Sequence, residues 1–140
     1  MKLAIEAEKT IFQNTSGADC TVCTFGGLME YNKENGFSKI ESEPNFHLVI
    51  ANSNVEHSTD SVVAGVREFK ENNEEEFSKL CENESNLIEN VLELLKENNI
   101  KELGQKAIQN QEYLERIGIS NDKLREMIQT GQKSSFGAKI

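Results

Sequence analysis

The stretch TSGADCTVCTFGG, residues 15–27, decides how this chain is read. Small residues, a single acid at Asp19, two cysteines and a double glycine leave few bulky side chains to pack. Such a run lets the backbone come close to something else, because glycine adopts conformations that other residues avoid. Asp19 is then either a helix N-cap or Asx-turn residue after the Ser16–Gly17 break, or a carboxylate presented to a ligand. On these residues alone both readings stand.

The totals narrow the choice. A chain of 140 residues can bury a real core. Its net charge of −9 argues against a nucleic-acid or anionic-membrane partner. It leaves room for a phosphate ligand, which backbone N–H groups and magnesium can hold. No apolar run is long enough to span a bilayer. MKLAIEAEKTIF, at the start, lacks the uninterrupted apolar core of a signal peptide, so the expected compartment is cytoplasmic. The odd cysteine count (Cys20, Cys23 and Cys81) fits a reducing compartment. The C-x-x-C spacing of Cys20 and Cys23 reads as half a metal site, a redox pair, or two small semi-buried residues.

Outward from the opening stretch, periodicity marks the elements. Leu3, Ala4, Ala7 and Ile11 recur at helical spacing before it. After Gly26–Gly27, LMEY, GFSKIES and NFHLVIA read as three short strands, with Leu48 to Ala51 expected to be buried on both faces. Within the third, His47 is expected to be a satisfied core or edge histidine. Ser58–Thr59 signals a helix start, followed by Val62, Val63, Val66 and Phe69. KENNEEEF reads as a solvated connection. Helical stripes then run from Leu87 to Leu95 and from Ile100 to Ile117. Ser120 can cap a last helix whose Leu124, Met127 and Ile128 turn inward. The final SSFGAKI reads as the start of a strand. This order predicts an α+β domain.

At this point four stretches, in order, resemble the mevalonate kinases. TSGADCTVCTFGG is similar to that family's Pro-Ser-Gly-x-Asp segment ending in Gly-Gly, and EKTIFQNTSGAD to the helix that enters it. ANSNVEHSTDSVVAGVREF resembles a strand and a Ser-Thr-capped helix, and IQNQEYLERIGISNDKLREMI a later helix pair. SFGAKI stops where the family would continue into a glycine run. The resemblance covers nearly the whole chain. It implies the C-terminal part of a two-domain small-molecule kinase, with helices packed on a small, mostly antiparallel, ferredoxin-like sheet. Residues 1–45 would be the tail end of the N-terminal catalytic domain. Residues 46–140 would be the C-terminal helical and sheet domain, cut off before the final glycine loop. The catalytic lysine and the Gly-Ser-rich phosphate loop of the family would lie outside the chain.

The resemblance also implies chemistry. The family transfers the γ-phosphoryl group of ATP to the primary hydroxyl of mevalonate, in isoprenoid and sterol precursor synthesis. Asp19 would be the catalytic base, Ser16 and Gly17 cofactor-binding, Glu8 a magnesium ligand, and Thr59 and His57 substrate-binding. From the residues alone, Glu8 also reads as a solvated helix acid and Thr59 as a plain capping residue. Departures from the family pattern stand at Phe12, Gln13, Thr15, Cys20 and His57. Among them, Thr15 replaces the proline before Ser-Gly and Cys20 the frequent asparagine after the aspartate. The implied ligands are Mg2+ and ATP, whose binding would need the absent N-terminal part. The implied partner is a small-molecule substrate, with no nucleic acid and no membrane, and a homodimer is allowed. Two other readings remain: a related kinase such as phosphomevalonate kinase, and a non-catalytic binding module.

Overall fold

The computed structural model describes residues 1–11, 15–32, 34–42, 45–56 and 58–140. The fold is α+β: six helices and one two-stranded antiparallel sheet among the described residues. The chain divides into two compact units, Met1–Glu43 and Pro44–Ile140.

In the first unit, α1 (Lys2–Lys9) precedes a bend and a second helix, α2 (Ala18–Phe25). The sequence reading hints at a helix here only through Asp19 as one possible N-cap, and no helical stripe marks it. It forms because Gly17, at φ +75°, turns the chain as the N-cap, and Gly26, at φ +64°, ends it. The face of α1 that meets the bend and α2 is also unexpected. Met1, Ile5 and Glu8 follow one another at helical spacing and contact Thr21, Gly17 and Cys20. Leu3, Ala4, Ala7 and Ile11, the stripe read as apolar packing, are exposed. A short helix of small residues approaches the Ile5–Glu8 side closely and covers nothing on the other.

After α2, β1 (Met29–Asn32) and β2 (Gly36–Lys39) form a hairpin, pairing Met29 with Lys39 and Tyr31 with Phe37. The Tyr31 and Phe37 rings stack at 4.6 Å between centroids. These are the first two strands read from the sequence. The third does not form: residues 45–56 carry no strand among the described residues, and Leu48, Val49 and Ile50 are 79%, 93% and 94% exposed. A segment without a neighbouring strand makes no ladder, so apolar content alone did not create one. His47 is exposed with it.

The second unit is helical: α3 (Thr59–Asn72), α4 (Glu74–Glu97), α5 (Ile100–Arg116) and α6 (Asp122–Gln132). KENNEEEF is not a connection but the end of α3 and the start of α4, broken only at Asn73. Three glutamates in the first turn of α4 suit the positive end of the helix. Asn98, at φ +54°, ends α4, and the Asn99 side chain accepts from Glu102 N–H to begin α5. This short link folds α5 back along α4, where Asn110 donates to both oxygens of Glu84 at 2.8 Å. Leu87, Leu95 and Ile128 are buried at the centre. Asn121, not Ser120, caps α6 by accepting from Leu124 N–H at 2.9 Å. The expected final strand is instead an irregular tail, held on α5 by Gln105 and Gln111.

Candidate functional site

Four of the residues singled out by the sequence lie in the first unit. Glu8 lies half-buried in the last turn of α1, and its Oε2 accepts from the Thr15 hydroxyl at 2.8 Å and from the Cys20 thiol at 3.6 Å. Ser16 is exposed, and its Oγ accepts from Ala18 N–H at 3.3 Å. Gly17 is buried, with its N–H donated to Thr15 Oγ1 and its carbonyl accepting from the Thr21 amide and hydroxyl. The close approach that this glycine permits is to α1: a Cβ at Gly17 would lie 3.0 Å from Ile5 Cδ1.

Asp19 stands in the first turn of α2 and is exposed. Gly17 occupies the N-cap, so Asp19 does not serve as the cap. Its carboxylate forms no hydrogen bond or ion pair among the described residues. An acid here complements the positive end of the helix, which favours its charge without consuming its lone pairs. The next residue, Cys20, has its thiol pushed above the usual value by burial and then by the Glu8 charge beside it. It is therefore a neutral donor towards Glu8.

Of the two residues singled out in the second unit, His57 lies outside the described residues, as do Phe12 and Gln13. Thr59 opens α3 and is exposed. Ser58 performs the capping, its Oγ accepting from Ser61 N–H at 3.4 Å. That leaves the Thr59 hydroxyl without a hydrogen bond among the described residues.

Glu8 can contribute one hard oxygen to a magnesium ion. Both of its donors among the described residues fall on Oε2, and magnesium usually takes one or two protein carboxylates, with phosphate and water filling its octahedron. No group of three or more His, Cys, Asp or Glu side chains suited to a metal gathers among the described residues. Cys20, Cys23 and Cys81 are free thiols. Two open depressions on the second unit, of about 580 and 360 Å³, are lined by residues such as Glu74, Lys79, Phe69 and Arg116 and by none of the residues singled out above. No helix among the described residues is long and apolar enough to cross a membrane.

No protein-family model matches the chain. Curated relatives do. The mouse protein named mevalonate kinase is 36% identical over 66 residues, 47% of this chain and 16% of its own length. The mevalonate kinase of Thermococcus sibiricus is 29% identical over an alignment covering 99% of this chain and 43% of that protein. The crystal structure of L. major mevalonate kinase in complex with R-mevalonate superposes with a TM-score of 0.85 at 30% identity, covering 90% of this chain and 40% of that one. The chain thus spans less than half the length of these relatives. In sequence and in fold it is a mevalonate kinase-like protein, matching the C-terminal part of such enzymes.

Proposed function

We propose that the chain is the C-terminal part of an ATP-dependent kinase that phosphorylates the primary hydroxyl of mevalonate. The observation that carries this reading is the state of Asp19. It is exposed, uncommitted to any partner among the described residues, and presented on the first turn of a helix behind a left-handed glycine. The similarity to a kinase solved with R-mevalonate supports the substrate class.

In this reading Asp19 accepts the proton of the substrate hydroxyl. The alcohol oxygen bonds to the γ-phosphorus as the bond from that phosphorus to the bridging oxygen breaks, releasing ADP. Phosphoryl transfer demands mostly positioning and charge stabilisation, so one well-placed acid is the chemistry this part of the fold can supply. Glu8 would hold magnesium, which when bound neutralises phosphate charge. Gly17 shapes the bend, since its amide and carbonyl are already satisfied within the chain, while the exposed Ser16 would be the residue to contact the nucleotide. The Thr59 hydroxyl, relieved of capping by Ser58, bonds a substrate oxygen. Residues 1–45 close the catalytic domain and 46–140 form the C-terminal one.

A chimera tests this. This chain replaces the matching 40% of the L. major enzyme, and ADP release is followed with R-mevalonate and with its phosphorylated product as substrates. Turnover with mevalonate that falls on Asp19→Asn supports the proposal. A folded chimera active only on the phosphorylated compound would make the chain part of a phosphomevalonate kinase. A folded chimera inert with both would leave it a non-catalytic module.

A further inference from the structure

Glu8 is held from two sides by donors that meet on one of its oxygens. The Thr15 hydroxyl and the Cys20 thiol both donate to Oε2, at 2.8 and 3.6 Å, and among the described residues nothing donates to Oε1. The Thr15 oxygen itself accepts from Gly17 N–H at 3.0 Å. A hydroxyl that accepts an amide proton is a stronger donor in turn, because bonds in a chain polarise one another. The backbone that follows Thr15 is packed as well. Gly17 packs on Ile5, which shares a face of α1 with Glu8. Thr15 therefore approaches Glu8 from just before the Gly17 turn, and Cys20 from the first turn of α2.

Resting on the magnesium assignment proposed above, we infer that Thr15 and Cys20 are positioning residues that clamp Glu8 through Oε2 and leave Oε1 as the oxygen offered to a hard divalent cation. Ligating carboxylates are commonly held by an outer hydrogen bond on the second oxygen, and removing that bond weakens metal affinity. Thr15 and Cys20 are also two of the positions at which this sequence departs from the family pattern. The chain thus holds the acid with its own pair of donors. Hydrogen bonds that only fastened the bend to α1 would not need to converge on a single oxygen.

The test uses the 140-residue chain, with Mn2+ as a paramagnetic probe and NMR of the glutamate side chains. Without metal, Thr15→Val should shift the Glu8 carboxyl carbon signal and leave that of Glu6 in place, and Thr15→Ser should restore it. With metal, Mn2+ should broaden Glu8 selectively. Thr15→Val should raise the concentration for half-broadening by about tenfold, and Thr15→Ser should return it. Cys20→Ala, which removes the thiol donor from a half-buried position, should act in the same direction. A melting curve of each variant confirms folding. An unmoved Glu8 carboxyl signal in folded Thr15→Val overturns the clamp. Selective broadening that Thr15→Val does not weaken overturns the cation role of the clamp while the magnesium assignment stands. No broadening of Glu8 in the wild-type chain overturns the cation role of the clamp in this chain; the magnesium assignment, whose binding would need the absent N-terminal part, then stands or falls on the same broadening measured in the chimera, and the metal-free signal decides the clamp.

Discussion

Gly137 crosses α5 directly over Gly104, so closely that a Cβ on Gly137 would lie 2.0 Å from the Gly104 carbonyl oxygen. From the other side, a Cβ on Gly104 would lie 2.4 Å from the Phe136 carbonyl carbon. Two backbones are in contact, and Gln105 Nε2 donates to Phe136 O at 3.2 Å beside them. Further on, Ile140 N–H donates to the Oε1 of buried Gln111 at 3.0 Å. Either glycine replaced by alanine must push the tail off the helix. The expected loss is about 1–3 kcal/mol, the usual range for overpacking, read by urea denaturation. Gly65 is the control. It lies within α3 with nothing in reach of an added Cβ, so Gly65→Ala should stabilise by about 0.5–1 kcal/mol through helix propensity. Equal behaviour of the three variants would show that the crossing is not tight in solution.

Asp19 should separate activity from stability. Because its carboxylate is exposed and unpartnered among the described residues, Asp19→Asn removes only its favourable place at the helix start, about 0.3–1 kcal/mol. In the chimera the same change should lower kcat by about 10²–10⁴, the usual contribution of a positioned base. Circular dichroism melts and steady-state kinetics on one preparation check both halves. Unchanged turnover removes Asp19 from the mechanism.

The parts of this molecule that were legible in its sequence are those whose signal is local. The hairpin shows in the alternation around Tyr31 and Phe37, and the stripes through Leu87, Leu95 and Ile128 mark residues that are buried. What escaped depends on neighbours. α2 is built from residues with no strong helical stripe, and it exists because Gly17 turns the chain against Ile5. Leu48 to Ala51 read as a doubly buried run within a strand, yet a strand needs another beside it, and that is not a property of one short segment. The candidate site divides the same way. The resemblance picked out Asp19, Glu8 and Thr59, but the roles of Thr15 and Cys20 towards Glu8 had no signal beyond their being departures. Ser58 and Thr59 were equivalent as caps until geometry gave the bond to Ser58.

The Cys20 thiol should be the slowest of the three to alkylate. Burial, and then the Glu8 charge, hold its pKa above the usual thiol value, whereas Cys23 and Cys81 are exposed. Iodoacetamide labelling at pH 8, read by mass spectrometry, should modify Cys23 and Cys81 first. Glu8→Gln removes one of the causes and should speed labelling of Cys20 alone. The shift also has a sign for stability. The folded chain binds this proton more tightly than the unfolded chain, so its contribution is complete below the ordinary thiol pKa. It is lost as pH rises through the raised value. Denaturation midpoints in the Cys20→Ala variant should therefore fall less between neutral and alkaline pH than in the wild-type chain. A wild-type chain with the same slope as the variant would contradict the assignment.

Leu48, Val49 and Ile50 make an uninterrupted apolar run outside any helix or strand, almost wholly exposed. Short β-prone segments of this kind, with free backbone groups and no charge, are where chains pair with copies of themselves. A charge in the middle should block this without harming the fold, since the Val49 side chain contributes almost no burial to lose. Val49→Lys is thus expected to raise solubility and suppress concentration-dependent light scattering, while the melting temperature stays within about a degree or two of wild type, as for surface changes of under about 0.5 kcal/mol. The paired reading decides the matter. A marked fall in melting temperature would mean that Val49 is buried in solution, and that the run belongs to a strand whose partner closes over it.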